Sequence, residues 1–253
     1  MQFFGVYSIL DVINFCLPPF LLVLGDANMY QRFSASKDAK GATKATSVLV
    51  VAVRPTVIQK PTENRAQSDR IRTMDHSVVR LQMLNRRRAL SQEAVIEASA
   101  LVIERLRSLP SYKEAGLVAS YMGRDGEIDP AELLKGPGPE VALPVTELQE
   151  SLRFVIPDGP FELGPFAIRQ PAKGRVVLPS ELELVLVPLV AVDWSGNRLG
   201  HGAGYYDRTF AFRRASGQPV LIGLAHRFQV LDFIEPRPWD IPMDLVVTET
   251  GTV

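Results

Sequence analysis

The sequence predicts a layered α/β domain over residues 74–253, with a mainly parallel central sheet flanked by helices. Three observations carry this: strand-sized apolar segments alternate with helical or turn-rich stretches, one of them runs almost unbroken from Leu182 to Asp193, and a glycine-rich loop follows it directly. Unbroken apolarity over a strand's length marks a strand covered on both faces, and strands separated by helices or long crossovers favour parallel pairing. Whole-chain totals agree. Of 253 residues, 46% are apolar and 22% charged, with 28 basic and 28 acidic side chains. That balance excludes a general electrostatic grip on nucleic acid, so any basic patch is local. A single cysteine, Cys16, and three histidines, His76, His201 and His226, exclude a disulfide framework, a cysteine-rich cluster and a multi-histidine metal centre. Oxygen ligands for magnesium remain available.

Taken in order, the first 25 residues are apolar but broken by Asp11, Asn14 and Pro18-Pro19, with no Lys or Arg ahead of them. Neither a spanning helix nor a signal peptide fits that pattern well. Residues 28–73 are rich in Ser, Ala, Lys, Thr and Gln, with SVLVVAV (Ser47 to Val53) the one strand-like stretch. Residues 1–73 are therefore expected to be a poorly ordered leader or a mis-assigned start, with translation from Met74 as the natural alternative. A membrane or targeting role and a folded appendage are the competing readings. From Met74, VVRLQMLNRRRALSQEAVIEASALVIERLRSL supports two helices that break near Ser91, where SQEA resembles a helix cap. Leu101, Ile103, Leu106 and Leu109 supply the second helix's apolar stripe, and Pro110 ends it. The run Arg86-Arg87-Arg88 suits the macrodipole at the end of the first helix and most simply reads as solvated capping.

Beyond this, GLVASYM is a short buried strand, residues 128–134 a short helix, PGPEVALPV a turn feeding a strand, and LRFVIP another strand. The long strand at 182–193 follows, then a helix over about 205–214, the strand PVLIGLA at 219–225 and a last strand DLVVTE at 244–249. The resulting arrangement is Rossmann-like.

GNRLGHGAGYYDRTF, from Gly196 to Phe210, carries the chemistry. In a parallel sheet, ligands usually bind where central strands end, and this loop lies there. Gly200, Gly202 and Gly204 recur at every second position, so the backbone can approach a bulky anion and adopt positive φ. A helix starting near Gly204 would add its free amides. The pattern is neither the loop ending in Gly-Lys-Ser/Thr nor the dinucleotide fingerprint, so a phosphate cradle and a plain strand-to-helix turn both stay open. Arg198, His201 and Arg208 offer donors to an anion. Asp207 is unfavourable beside phosphate unless a cation separates them, which points to magnesium; a first-turn residue stabilised by the helix end is the alternative. His201 is more readily a hydrogen-bond donor than a proton carrier.

The stretch from Asp193 to Arg208 resembles the signature of the 5-formyltetrahydrofolate cyclo-ligases, also called 5,10-methenyltetrahydrofolate synthetases. SYMGRDGEIDP, ALPV, LRF, LGPFAI, LVPLVAVD and PRPWDIPMDLVVTE occur in that family's order, together with the early arginine-bearing helix, and the likeness covers about Asp75 to Thr250. It implies ATP- and magnesium-dependent closure of 5-formyltetrahydrofolate to 5,10-methenyltetrahydrofolate, with ADP and phosphate released. By resemblance, Gly200, His201, Gly202, Ala203, Gly204 and Tyr205 cradle the ATP phosphates, with Arg80 and Arg198 as charge partners. Arg198, His201 and Tyr205 are the residues placed nearest the chemistry. Asp207 and Asp240 correspond to the magnesium carboxylates, with Asp244 in reserve, and Glu127 to the acidic residue on the pterin's amino-bearing edge. Tyr121 and Tyr205 would pack or orient the ring system, and Trp239 would anchor the Asp240 loop. Three positions depart from the family pattern: His76 stands where lysine is frequent, His201 where basic or aromatic residues are common, and Ala203 where lysine or glycine is common. The resemblance further implies a cytoplasmic monomer that binds 5-formyltetrahydrofolate and neither nucleic acid nor membrane. A noncatalytic folate-binding protein and a related ATP-dependent enzyme with a changed second substrate are the alternatives.

Overall fold

The computed structural model describes residues 56–59, 75–148 and 150–253. The readings of the apolar leader, of SVLVVAV and of a start at Met74 lie outside the described residues. Two helices open the domain. The first, α1 (His76–Arg88), is capped by the Asp75 carboxylate accepting the Ser77 amide. The second, α2 (Gln92–Ser108), is capped by Ser91, whose hydroxyl accepts the Ala94 amide as SQEA predicts. Pro110 ends α2 but also occupies the first turn of a short α3 (Pro110–Glu114), where its missing N–H costs nothing. The buried stripe of α2 is Ser99, Val102, Ile103 and Leu106; Leu101, expected inside, is 40% exposed. Spacing of i, i+3, i+4 and i+7 makes one helix face, and Leu101 falls off it.

The strands are β1 (Leu117–Ala119), β2 (Glu140–Val145), β3 (Arg153–Pro157), β4 (Phe161–Leu163), β5 (Arg169–Pro171), β6 (Gly174–Val177), β7 (Leu184–Pro188), β8 (Ala191–Asp193), β9 (Arg198–Leu199), β10 (Val220–Leu224), β11 (Val230–Leu231), β12 (Leu245–Thr248) and β13 (Gly251–Thr252). Among the described residues the main sheet runs β13-β12-β10-β7-β1-β2-β3-β6. Its centre, β2-β1-β7-β10-β12, is parallel throughout, and antiparallel strands close both ends. The chain reverses direction of build between β1 and β7, and such a switch point leaves a crevice beyond the carboxyl ends of the strands. Outside the predicted domain, Val57 bridges Thr252 in parallel, so residues 56–58 lie along the β13 edge.

Side chains alternate across the central strands. On β7, Leu184 and Leu186 face a core shared with Val102 and Leu106 of α2, while Val185 and Val187 face a second core with Phe154, Phe210 and Val246. Burying each such side chain contributes roughly 1.5–3 kcal/mol, so both faces of the sheet are held. A third cluster joins Val79 and Met83 of α1 to Val190, Ala191, Leu199 and Ile234. It docks α1 beside the loop that follows β9.

Three expectations need correction. The run from Leu182 to Asp193 is not one strand: β7 ends at Pro188 and β8 joins β9 and β11 in a separate sheet. Pro188 has no N–H to continue the ladder, and the Gln229 side-chain amide donates to the carbonyls of Leu189 and Val190 at 3.1 and 2.8 Å. The expected helix at 205–214 is two pieces, α4 (Tyr205–Thr209) and α5 (Arg213–Ser216), broken where Phe210 turns fully into the core. The expected helix at 128–134 is a single 3-10 turn over Ala131–Leu134.

Candidate active site

The crevice is a cavity of about 480 Å³. Tyr121 after β1, Thr146 after β2 and Pro188 at the end of β7 form its floor. All the predicted site residues border it: Arg80, Tyr121, Glu127, Arg198, Gly200, His201, Gly202, Ala203, Gly204, Tyr205, Asp207 and Asp240. Asp244 does not. It pairs with Arg213 and accepts the Leu221 amide outside the cavity lining, and that position removes it as a metal candidate.

The glycine loop is built as its composition suggests. Gly202 and Gly204 hold φ of +104° and +67°, conformations that a Cβ penalises. Ala203 is not among the positive-φ residues, so its methyl group is accommodated in this conformation. Arg80 Nε donates to the Gly200 carbonyl at 2.8 Å, and Arg208 Nη1 donates to the Ala203 carbonyl at 2.7 Å. Two carbonyls of the loop are thereby drawn toward guanidinium groups. Tyr205 donates its hydroxyl to the Glu147 carbonyl at 3.2 Å, and Arg208 lies 5.1 Å from the centre of its ring.

Asp207 lies against the loop that carries Asp240. Asp207 Oδ1 accepts the Ile241 amide at 3.1 Å, so its carboxylate abuts the residue following Asp240. The same oxygen accepts Arg198 Nη2 at 2.9 Å, while Arg198 Nη1 donates to the Ile241 carbonyl. Asp240 Oδ2 accepts the Arg237 amide at 2.8 Å. Two carboxylates lining one cavity with a glycine loop fit magnesium, which takes one or two protein carboxylates and completes its shell with phosphate oxygens and water. Among the described residues no cluster of three or more metal-ligating side chains exists, so a cage supplied wholly by described side chains is not what the donors offer. Trp239, expected to anchor this loop, is 58% exposed at the cavity rim with Arg237 over its ring; Arg214 Nη2, bonded to the Pro238 carbonyl at 2.7 Å, ties the loop instead.

Glu127 also lines the cavity and is buried at 7% exposure. It follows a tight turn in which Asp125 and Gly126 both have positive φ, +50° and +77°, and the Glu127 amide donates to the Arg124 carbonyl at 2.9 Å. Successive positive φ at Asp-Gly is the habit of type I′ turns. Oε2 of Glu127 accepts the Arg124 amide at 3.2 Å. Oε1 faces Arg87 Nη1 at 3.3 Å and His201 Nε2 at 3.2 Å. His201 thus links the glycine loop directly to the Glu127 carboxylate. Tyr121 donates its hydroxyl to the Ile128 carbonyl at 2.8 Å. Burial, reinforced by the Glu127 charge, holds the Tyr121 and Tyr206 hydroxyls well above the ordinary phenol value, so both stay protonated donors.

Sequence reasoning missed Arg87. It was expected to be a solvated cap, yet it is 1% exposed and bonded to Asp125 O, Leu189 O and Glu127. Its place in the helix was a signal: Val79, Met83 and Arg87 recur at i+4 on one face. His76, Arg88, Arg124, Arg169 and Arg237 also border the cavity, so that with Arg80 and Arg198 six arginines line it against the four carboxylates of Asp125, Glu127, Asp207 and Asp240.

Comparison with known proteins converges on one group. The model of the 5-formyltetrahydrofolate cyclo-ligase family matches residues 72–249. The 5-formyltetrahydrofolate cyclo-ligase of Escherichia coli strain K12 is 35% identical over 173 residues, covering 64% of this chain and 94% of that protein. The Saccharomyces cerevisiae enzyme of the same name is 30% identical over 192 residues, covering 65% and 90%. The solved 5,10-methenyltetrahydrofolate synthetase of Aquifex aeolicus aligns with a TM-score of 0.61 at 38% identity, covering 71% of this chain and 92% of that one. That of Mycoplasma pneumoniae aligns with a TM-score of 0.57 at 25% identity, covering 70% and 99%.

Proposed function

The chain belongs to the 5-formyltetrahydrofolate cyclo-ligase family, and on that premise we propose that it closes 5-formyltetrahydrofolate to 5,10-methenyltetrahydrofolate while ATP is split to ADP and phosphate. A formamide carbon is a poor electrophile. Moving the γ-phosphoryl group onto the formyl oxygen turns that oxygen into a leaving group. N10 then attacks the formyl carbon and loses its proton, the carbon–oxygen bond breaks, and phosphate departs with the former formyl oxygen. No protein nucleophile is needed, so catalysis reduces to alignment and charge neutralisation.

The supporting observation is that one cavity is lined by both a positive-φ glycine loop and a buried carboxylate, joined by the 3.2 Å contact of His201 with Glu127. A phosphate-binding and a pterin-binding element so close allow the γ-phosphate to meet the formyl group. In this reading Gly202 and Gly204 open the backbone to the triphosphate, and Arg80 and Arg198 set the loop and the Asp207 wall that flank it. Asp207 and Asp240 would hold magnesium, which when bound supplies positive charge to the phosphoryl oxygens. Glu127 accepts hydrogen bonds from the amino-bearing edge of the pterin, and Tyr121 and Tyr205 border the ring.

The test is a purified-protein assay with 5-formyltetrahydrofolate, ATP and magnesium, following methenyl absorbance and ADP together. One ADP per methenyl product is expected. Folate binding without ADP formation in folded protein would instead identify a noncatalytic binder, and ATP cleavage indifferent to folate would identify a changed second substrate.

A further inference from the structure

Oε1 of Glu127 has two side-chain neighbours of different kinds. His201 is half exposed, with 47% of its side chain accessible, and sits on the loop facing the cavity. Arg87 lies beneath with 1% accessible. An incoming pterin edge needs lone pairs that His201 now shares, and an exposed side chain on a glycine-rich loop can swing away. Arg87 has no such freedom. Its Nε donates to the Asp125 carbonyl at 3.0 Å and its Nη1 to the Leu189 carbonyl at 3.3 Å, so one planar group fixes the turn, the end of β7 and the carboxylate together.

The rest of the α1 terminus reinforces that grip. The guanidinium of Arg86 lies 4.5 Å from the centre of the Phe228 ring, which stacks on His226 at 5.4 Å. His226 Nε2 donates to the Gly126 carbonyl at 2.8 Å. A Cβ on Gly126 would sit 2.6 Å from the Arg87 carbonyl, so the turn rests directly on the helix backbone. Two helical turns earlier, Arg80 holds the Gly200 carbonyl of the opposite loop. Helix α1 thus carries one arginine to each of the two facing elements.

We propose that Arg87 is a positioning residue for the folate subsite: acting through Glu127, it holds the carboxylate toward the cavity as His201 gives way, and touches no substrate itself. This rests on the assignment of Glu127 to the pterin edge. A buried guanidinium with three partners fixes Oε1 in one orientation, whereas without it the carboxylate keeps only the Arg124 amide on Oε2 and the exposed His201 on Oε1.

The experiment measures binding of 5-formyltetrahydrofolate alone, and separately of ATP with magnesium, by calorimetry on the full chain carrying Arg87→Met, Arg87→Lys, Glu127→Gln or Arg87→Met with Glu127→Gln. Thermal melts establish which variants are folded. Arg87→Met is expected to weaken folate binding at least tenfold and ATP binding less than twofold, with Arg87→Lys recovering part of the loss. In the Glu127→Gln background, Arg87→Met should add less than twofold. Equal losses for both ligands, unchanged folate binding or full additivity would overturn the proposal. Should Arg87→Met be unfolded, Arg87→Lys carries the test, with a folate-selective loss of threefold or more expected and an equal or absent loss overturning it. If Glu127→Gln alone leaves folate binding intact, the pterin assignment itself fails; if it impairs folate binding and the Arg87 variants do not, only the role of Arg87 falls.

Discussion

Replacing Gly202 with alanine isolates the backbone contribution of the glycine loop. Gly202 has φ of +104°, and a Cβ built there meets nothing within 4 Å, so the added methyl clashes with no part of the folded chain. The effect is therefore conformational. Holding an alanine in such a sparsely populated region costs of order 1–3 kcal/mol. An exposed loop relieves that cost by relaxing, and the cost returns when the loop must re-form around the triphosphate. Nucleotide affinity should accordingly fall roughly 5- to 150-fold, since each 1.4 kcal/mol is about tenfold. Binding of 5-formyltetrahydrofolate without nucleotide should change less than about twofold by the same conversion. Gly217→Ala is the control: its φ is +70°, a Cβ there also meets nothing within 4 Å, and it lies outside the cavity lining. It should lower thermal stability and leave nucleotide affinity alone. Titration calorimetry on both variants decides the matter. Undiminished ATP affinity in Gly202→Ala, or an equal loss for folate, would refute the phosphate cradle.

Asp207→Asn keeps an oxygen for Arg198 and the Ile241 amide but removes the charge a cation needs, so the magnesium concentration giving half-maximal rate should rise about tenfold or more, equivalent to ~1.4 kcal/mol. An unchanged magnesium dependence would remove Asp207 from the metal site. His226 supplies a pH signature. Burial lowers its pKa from the ordinary histidine value, while its Nε2–H serves the Gly126 carbonyl and its ring accepts a backbone amide in a capping box with Gln229. With the folded value below the unfolded one, the unfolded chain binds the extra proton first, so this contribution is complete above about pH 6.5 and is lost as pH falls through the folded value. Urea denaturation should show wild type losing more stability between about pH 7.5 and about pH 5.5 than His226→Gln does; identical losses would contradict a buried neutral imidazole.

What could be read from the sequence divides along the range of the forces involved. Ser91 as a cap, the glycine loop's positive φ and the parallel core strands are local: they follow from a hydroxyl at the first turn of its own helix, from a missing Cβ and from unbroken apolarity. The division of residues 182–193 into β7 and β8 was not legible, because Gln229, about forty positions on, takes the carbonyls that a longer strand would have paired. Arg87 was hidden for a related reason. Three consecutive arginines at a helix end look alike along the chain, and only packing sends Arg86 onto Phe228, Arg87 into the interior and Arg88 to the cavity. Asp125-Gly126 did carry a readable signal, the Asp-Gly pair of a tight turn, and it frames Glu127. The meeting of Asp207 with the Asp240 loop depends on the Ile241 amide and on Arg198, which bridges Asp207 to the Ile241 carbonyl, contacts that no spacing in the sequence announces.

The central claim is that phosphate leaves carrying the oxygen of the formyl group. It is tested most directly by supplying 5-formyltetrahydrofolate labelled with oxygen-18 in the formyl group, together with ATP and magnesium, and measuring the mass of the released phosphate. One labelled oxygen in each phosphate, in proportion to the methenyl product, is the predicted result; phosphate without label would contradict transfer to the formyl oxygen.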